Sequence, residues 1–240
     1  MCGIVGIVSR TPVAHQILDS LKRLEYRGYD SAGIATLEHG RLTRRRAEGK
    51  LRNLHARLVL EPLQGTIGIG HTRWATHGRP TEYNAHPHAT DRVAVVHNGI
   101  IENFRELREE LARDGITFQS DTDTEVVAHL ATRELRNGAT PHEAVARTLK
   151  KLRGAFALAF LFNGEDDLLI GARQGSPLAV GVGDGEMYLG SDALALAPFT
   201  NLIAYLEEGD WVVLHRRGAT FYDKTNKQVK RRSQRVAAGA

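Results

Sequence analysis

Residues 154–190 read GAFALAFLFNGEDDLLIGARQGSPLAVGVGDGEMYLG, and this stretch decides the fold. Short apolar segments predict strands at 155–162, 168–172, 178–182 and 187–190, with tight turns between them. The turns are too short for a crossover helix, so neighbouring strands must pair antiparallel. Several of these strands lack polar alternation, which indicates that both of their faces are covered. We therefore predict an α+β fold in which two antiparallel sheets stack, with helices outside them.

The rest of the chain supplies helices and further strands. Helix caps and apolar periodicity predict helices at 11–26, 103–115, 122–138 and 140–154, with a shorter candidate at 49–60. Thr11 with Pro12 would begin the first helix. A capping box is predicted at Thr122 with Glu125, and another at Thr140 with Glu143. Further strands are predicted at 3–8, 32–37, 66–70, 93–96, 203–206, 211–214 and 220–222.

Composition excludes several classes of protein. The 240 residues are 42% hydrophobic and contain one cysteine, which indicates a globular chain without disulfides or a cysteine zinc site. The net charge is +4, but aromatic residues do not interleave with the basic runs at 44–46 and 224–235, so we predict no nucleic-acid partner. The longest apolar run, 155–162, has the length of a strand, so we predict no membrane span and no signal peptide. A cytoplasmic location is expected.

The single cysteine is Cys2, next to a chain end that would normally fray. Removal of Met1 is expected when the next residue is small, and Cys2 would then carry both a thiol and a free α-amine. A free thiol is mostly protonated at neutral pH, whereas an α-amine titrates near 7.7 to 8.0 and suits general-base catalysis. Cys2 is therefore a candidate nucleophile with its base built in, and the alternative is a small apolar residue in an edge strand.

Two further segments carry candidate binding groups. Asn98 and Gly99 end an apolar strand, and Asn-Gly is first a hairpin signal, but the chain soon becomes helical rather than returning as a strand. An amide and a glycine N–H are suitable donors to an oxyanion. Arg73 leads into a loop with Trp74, Thr76 and His77, in which a guanidinium can bind a carboxylate. The alternative, without a functional role, is a surface arginine beside a packed tryptophan.

Asp123 lies in the turn before the third helix, where a carboxylate favours the helix dipole. Its alternative role is to pair with an ammonium group. An arginine and an aspartate that hold the two ends of an amino acid, around a thiol that cleaves an amide, would form a glutamine site.

These residues occur in motifs with a known order. CGIVGIV, LEYRGYDSAG, HTRWATHG, NAHPH, HNGIIEN and DTDTE resemble, in order and approximate spacing, the glutaminase domains of the glucosamine-6-phosphate synthases. That family belongs to the class II glutamine amidotransferases, which are N-terminal-nucleophile hydrolases. The resemblance covers the chain to about Lys230 and implies a four-layer αββα sandwich, which agrees with the two stacked sheets.

The resemblance also implies roles for residues. Cys2 would attack the glutamine amide and form a γ-glutamyl thioester, with its own amine moving the proton. Asn98 and Gly99 would form the oxyanion hole, and Arg27 with Gly28 would seat the N-terminal residue. The implied substrate-binding residues are Arg73, Thr76, His77 and Asp123, with Trp74 as a gate toward an ammonia passage.

The resemblance further implies a division of the chain. Residues 1–223 would form the glutaminase domain, and 224–240 would be a basic linker toward sugar isomerase domains that are absent here. This sequence is therefore expected to be an excised domain that converts glutamine to glutamate and ammonia. The complete enzyme would deliver the ammonia to fructose 6-phosphate to make glucosamine 6-phosphate, and any oligomer would form through the absent domains.

Two other functions remain open from the residues. One is a glutamine-binding regulatory module without turnover. The other is a metalloenzyme that uses His71, His77, His86, His88 and His97, but these lack the H-E-x-x-H helix spacing. We expect no metal and no cofactor, since GVGDGEMYLG also fails the dinucleotide-binding glycine pattern.

Overall fold

The structure is a computed structural model that describes residues 2–75 and 78–237, apart from the side chain of Arg27. In chain order, its strands are β1 (Gly3–Val8), β2 (Ser31–Glu38), β3 (Arg41–Glu48), β4 (Ile67–Arg73), β5 (His88–Ala89), β6 (Val93–Ile101), β7 (Gly154–Phe162), β8 (Leu169–Gln174), β9 (Ala179–Val182), β10 (Met187–Gly190), β11 (Leu202–Tyr205), β12 (Trp211–His215), β13 (Gly218–Tyr222), β14 (Gln228–Val229) and β15 (Gln234–Arg235). The helices are α1 (Ala14–Arg23), α2 (Leu51–Leu60), α3 (Phe104–Arg113), α4 (Thr124–Arg136), α5 (Pro141–Lys151) and α6 (Ala193–Leu196).

The strands form two antiparallel sheets, as the segment after Gly154 predicts. The eight-stranded sheet has the order β15-β11-β9-β10-β1-β4-β2-β3, and the seven-stranded sheet has the order β14-β13-β12-β8-β7-β6-β5. Strands β7 to β10 are divided between the two sheets. Short turns explain the antiparallel pairing of β7 with β8 and of β9 with β10, whereas β8 and β9, which also follow each other closely, lie in different sheets.

Three apolar clusters build four layers. The first lies between the sheets and joins residues such as Ile4 and Ile69 of one sheet to Val96 and Leu161 of the other. The second packs α3, α4 and α5 on the outer face of the seven-stranded sheet, and the third packs α1, α2 and α6 on the outer face of the other sheet. Both faces of each sheet are thus covered, and the expected αββα sandwich is confirmed.

Helix ends agree with the sequence in one case and differ in two. Thr140 and Glu143 form the predicted capping box at α5. The predicted box at Thr122 is wrong, because α4 begins after Asp123 and Glu125 accepts the backbone N–H groups of Gln119 and Ser120 instead. The first helix begins at Ala14 rather than after Thr11, and Val13 stands at its N-cap position without a side-chain cap.

Two strands differ from the sequence expectation. The basic run 44–46 lies in β3, an edge strand that was not predicted, and its arginines are half-buried. The other difference concerns β6, which extends through Asn98 and Gly99 to Ile101 and pairs with β7 throughout. Asn-Gly is therefore not a hairpin here, because the pairing of β6 with β7 continues past it.

The basic C-terminal segment also contributes to the sheets. β14 pairs with β13, and β15 pairs with β11. The division of the chain at residue 223 stays a prediction. Among the described residues, no helix is both long enough and apolar enough to span a membrane.

Candidate active site

One end of the sandwich holds a cavity of about 390 Å³. It forms where β1 begins, where β4 ends and where α4 begins, with β6 facing them from the other sheet. Six of the ten predicted site residues line it: Cys2, Arg73, Trp74, Asn98, Gly99 and Asp123. Thr76, His77 and the side chain of Arg27 lie outside the described part of the structure.

The Cys2 sulfur contacts the backbone of Trp74. The Trp74 N–H donates to Sγ at 3.2 Å, and the thiol lies 3.7 Å from the Trp74 carbonyl oxygen. Burial raises the pKa of the Cys2 thiol, while the Trp74 N–H and Arg73 act in the opposite direction. The thiol is therefore protonated at neutral pH, and its use as a nucleophile requires a base that removes the proton as it attacks.

The end of β1 is held in place by a pair of hydrogen bonds. The Ile4 N–H donates to the Ser191 hydroxyl at 2.9 Å, and the Ser191 N–H donates to the Ile4 carbonyl at 3.1 Å. Gly3 opposes Thr72 of β4, so Cys2 and Arg73 lie at the same end of neighbouring strands. The position of Ser191 in the lining of the cavity was not predicted, because none of the motifs in the sequence includes it.

Gly28 lies beside the Trp74 ring rather than in the wall of the cavity. Its φ of 75° and ψ of 145° belong to a region that only glycine adopts readily. A Cβ at this position would lie 3.5 Å from the Trp74 ring. The conformation and this close approach explain a glycine in the YRGYD motif, and a role in seating the N-terminus stays a prediction.

Asn98 and Gly99 line the cavity from the middle of β6. The Asn98 Nδ2 donates to the Cys2 carbonyl at 3.2 Å, and Oδ1 lies 3.1 Å from His71 Nε2. Gly99 has φ of 104°, and a Cβ there would collide with the Ala155 carbonyl oxygen. The strand therefore requires glycine at this point, and the backbone stays open toward the cavity.

Arg73 and Asp123 place opposite charges in the same cavity. Arg73 is 3% exposed, and it donates to the carbonyls of Arg79 and Gly78 at 3.1 and 3.4 Å. Burial lowers the pKa of its guanidinium, so the cation gains from an anionic ligand. Asp123 accepts the Ile101 N–H at 2.9 Å through Oδ2.

Four buried histidines cluster at the cavity, and two of them, His86 and His97, line it. The rings of His71 and His86 stack with centroids 4.1 Å apart, and His86 meets His88 edge-on at 4.8 Å. Thr124 bonds His86 Nε2 at 2.7 Å and His97 Nδ1 at 2.9 Å. Both of these ring nitrogens bind the one Thr124 hydroxyl, and no group of three or more side chains that could hold a metal ion is found within 2–75 and 78–237.

The histidine cluster predicts a loss of stability in acid. Burial lowers the pKa of His71 to about 3 and those of His86 and His88 well below their ordinary value. The unfolded chain binds these protons below pH ~6.5 while the folded chain does not, so stability is complete above that pH and is lost below it. Arg44, Arg46 and Glu125 also face His88. The two arginines lower the pKa of His88 further, whereas Glu125 acts in the opposite direction.

Between pH 7.5 and pH 5.5, we expect the free energy of unfolding to fall by about 4 kcal/mol, since three such groups each contribute roughly 1.4 kcal/mol. Denaturant unfolding at several pH values measures this. His88→Gln keeps a donor toward Thr122, which His88 Nε2 contacts at 2.9 Å, and should remove about a third of the pH dependence. His55→Gln, on the exposed face of α2, is the matched control. Equal pH dependence in the two variants would contradict the assignment.

Comparison with known proteins places the chain in a family. Residues 71–198 match the family model described as a glutamine amidotransferase domain, which is more than half of the chain. The chain belongs to this glutamine amidotransferase family. The matched segment includes Arg73, Asn98, Gly99 and Asp123 of the cavity.

Relatives of this amidotransferase chain extend the match. It is 68% identical to the glutamine--fructose-6-phosphate aminotransferase [isomerizing] of Bradyrhizobium diazoefficiens over 99% of its own length and 39% of the relative. The protein of the same name from Brucella abortus is also 68% identical, with 98% and 39% covered. The amidotransferase chain thus spans about two fifths of these relatives, and the resemblance to their family is confirmed.

Solved structures support the fold. Glutamine phosphoribosylpyrophosphate amidotransferase from B. subtilis matches with a TM-score of 0.81 and 26% identity, over 92% of this amidotransferase chain and 49% of that chain. A glutamine aminotransferase class-II domain protein from Silicibacter pomeroyi matches with a TM-score of 0.63 and 18% identity, over 92% and 99% of the two chains. The N-terminal-nucleophile hydrolase fold expected from the sequence is confirmed.

Proposed function

We propose that the chain hydrolyses the side-chain amide of glutamine to glutamate and ammonia, with Cys2 as nucleophile after Met1 is removed. The observation that carries this proposal is the content of one cavity: a thiol, an amide donor, a buried guanidinium and a buried carboxylate. A thiol and an oxyanion donor suit cleavage of an amide, and the two charges suit the α-carboxylate and α-ammonium of an amino acid.

The first half of the reaction forms a thioester. As Sγ attacks the amide carbon of glutamine, the thiol proton passes to the α-amine of Cys2 and the carbonyl oxygen becomes an oxyanion. Asn98 Nδ2 and the Gly99 N–H stabilise that oxyanion. The protonated amine then gives its proton to the leaving nitrogen, the C–N bond breaks, and ammonia departs from a γ-glutamyl thioester.

The second half releases glutamate. Water attacks the thioester while the same amine accepts a proton from it, and the C–S bond breaks. The thiolate takes the proton back, which restores the starting state. A thiol that is protonated must lose its proton during the attack, and the amine of the same residue is the base proposed to accept it.

Substrate recognition is assigned to the charged pair. Arg73 binds the α-carboxylate, together with Thr76 and His77 from the adjoining loop, and Asp123 binds the α-ammonium. Trp74 is 54% exposed beside the thiol and stands at the exit toward an ammonia passage. Arg27 and Gly28 seat the N-terminal residue.

The test of Asp123 is a neutral variant that keeps its backbone contact. Asp123→Asn retains an oxygen for the Ile101 N–H but loses the charge, so we expect KM for glutamine to rise by about 10- to 100-fold, as for a lost charged hydrogen bond. Turnover at saturation should change less. Asp121→Asn, an exposed carboxylate two residues away, is the matched control. Equal KM values for the two variants would contradict the assignment of Asp123.

The activity of the longer protein is a further part of the proposal. Its relatives carry the name glutamine--fructose-6-phosphate aminotransferase, which supports delivery of the ammonia to fructose 6-phosphate to make glucosamine 6-phosphate. Residues 1–223 would form the glutaminase unit, with 224–240 leading to sugar isomerase domains through which any oligomer forms. A cytoplasmic location keeps the single thiol reduced.

The experiment that tests the function separates turnover from binding. Incubation with glutamine should release glutamate and ammonia in equal amounts, and asparagine should react far more slowly because its amide is one methylene short of the thiol. The alternative is a glutamine-binding regulatory module. Calorimetric binding of glutamine without any ammonia release, in a chain shown by mass to begin at Cys2, would establish that alternative.

A further inference from the structure

We propose that His71 is a positioning residue for hydrolysis, whose Nε2–H fixes the orientation of the Asn98 amide in the oxyanion hole. This inference rests on the proposed function, because the orientation of Asn98 Nδ2 matters for catalysis only if an oxyanion forms beside it. It concerns the first residue of the HTRWATHG motif, which the sequence suggested only as a metal ligand and which lies in the neighbouring sheet.

The tautomer of His71 follows from its two partners. Its Nε2 lies 2.8 Å from the His97 carbonyl oxygen and 3.1 Å from Asn98 Oδ1. The carbonyl can only accept, so Nε2 carries the hydrogen and donates toward both oxygens. A neutral imidazole with Nε2–H leaves Nδ1 as its acceptor, and Nδ1 is buried without a hydrogen-bond partner.

The orientation of Asn98 then follows from His71. With Nε2–H pointing at the Asn98 side chain, the amide presents its oxygen, since the opposite orientation would place N–H against N–H. Nδ2 is thereby directed away from His71 and reaches the Cys2 carbonyl at 3.2 Å. The donor is thus already aimed at the reacting residue before substrate binds, which is the preorganisation that oxyanion stabilisation needs.

His71 is itself held firmly and stays neutral. It is 0% exposed in β4, and its ring stacks on His86. Burial lowers its pKa to about 3, and the charge of Arg73 acts in the same direction. The imidazole therefore does not exchange protons with the substrate at neutral pH, and it acts through Asn98 rather than on the reacting atoms.

The arrangement also couples the two sheets at the site. His71 belongs to the eight-stranded sheet, where it opposes Ile4, while Asn98 belongs to the seven-stranded sheet. The Nε2–H of His71 in one sheet thereby sets the orientation of the Asn98 amide in the other. Through its contact with His71, Asn98 is oriented so that its Nδ2 reaches the Cys2 carbonyl at the start of β1.

Three variants of His71 test the proposal. Glutamine places its Nε2 where that of histidine lies, so His71→Gln should keep most of the activity. His71→Asn is too short to reach Asn98, so it should lose kcat by about 10- to 100-fold, as misplacement of a catalytic group does, with His71→Ala losing as much. KM for glutamine should stay within about twofold, because Arg73 and Asp123 remain in place.

A second readout distinguishes orientation from general damage to the fold. The γ-aldehyde analogue of glutamate adds the thiol and forms an oxyanion, whereas glutamate forms none. His71→Asn should weaken inhibition by the aldehyde about as much as it lowers kcat, and should leave inhibition by glutamate unchanged. Equal losses for both inhibitors, or equal activity of His71→Gln and His71→Asn, would overturn the proposal.

Asn98→Ala separates the two hypotheses. If Asn98→Ala lowers kcat by about 10²- to 10³-fold and His71→Asn adds little to it, both the oxyanion role and the positioning role stand. If Asn98→Ala alone lowers kcat while His71→Asn does not, the positioning role fails and the proposed function survives. If Asn98→Ala leaves kcat unchanged, the oxyanion role fails and the positioning role fails with it.

Discussion

Cys2→Ala is expected to lower glutamine hydrolysis by about 10⁴-fold or more, because removal of a nucleophile leaves only binding and electrostatic stabilisation. The described contacts of Sγ are with the Trp74 backbone alone, so the variant should keep its fold and melting temperature. Ammonia release under saturating glutamine measures the effect. Cys2→Ala should still bind glutamine, since Arg73 and Asp123 remain.

The outcome of this experiment separates catalysis from binding. Hydrolysis by Cys2→Ala within about tenfold of the unmodified chain would show that the sulfur is not the nucleophile. A variant that loses both hydrolysis and glutamine binding is less informative, and its melting temperature then shows whether the cavity is intact. Cys2→Ser is a matched control that keeps a hydroxyl and the N-terminal amine, and it should fall far below the unmodified chain because the hydroxyl is a weaker nucleophile.

A blocked N-terminus is expected to have the second largest effect. When Met1 is retained, the nitrogen of Cys2 belongs to a peptide bond and cannot accept a proton. Loss of a general base typically costs about 10²- to 10⁴-fold in rate. The comparison uses one chain carrying a cleavable N-terminal extension, assayed for ammonia release before and after the cleavage that exposes Cys2.

Two controls make the comparison decisive. Intact mass must show which residue begins each preparation, and the same extension on Cys2→Ala must give no activity before or after cleavage. If the extended and the cleaved chains hydrolyse glutamine at equal rates, the base lies elsewhere in the cavity. An extension that also abolishes glutamine binding would point to a steric block, so binding is measured alongside.

The fold was largely predictable from local pattern. The apolar segments after Gly154 are short, and their turns leave no crossover, so the antiparallel pairing of β7 with β8 and of β9 with β10 follows from turn length. The basic strand β3 was not predicted, because its arginines leave no apolar segment of the kind that predicts the other strands. In the structure Arg44 and Arg46 donate to the carbonyls of Pro87, Tyr83 and Ala85, and those partners are remote in sequence.

The candidate site was predictable where a residue type has few other uses. A lone cysteine near the chain end and an Asn-Gly pair before a helix both drew attention for that reason. Ser191 was not singled out, and His71 was considered only as a metal ligand, since their contacts depend on partners that only the fold brings close: Ile4 for Ser191 and Asn98 for His71. For Glu125 a sequence pattern was present but gave the wrong role. Its spacing from Thr122 predicted a capping box, whereas its oxygens accept the N–H groups of Gln119 and Ser120.

The most direct test of the account is the mass of the chain during turnover. Acid quenching of a reaction with glutamine, followed by digestion and mass spectrometry, should show a γ-glutamyl group on the peptide that begins with Cys2. The adduct should be absent from Cys2→Ala and should disappear with hydroxylamine, as a thioester does. Active chain that carries no such adduct at Cys2 under any quench time, or carries it on another residue, would contradict the account.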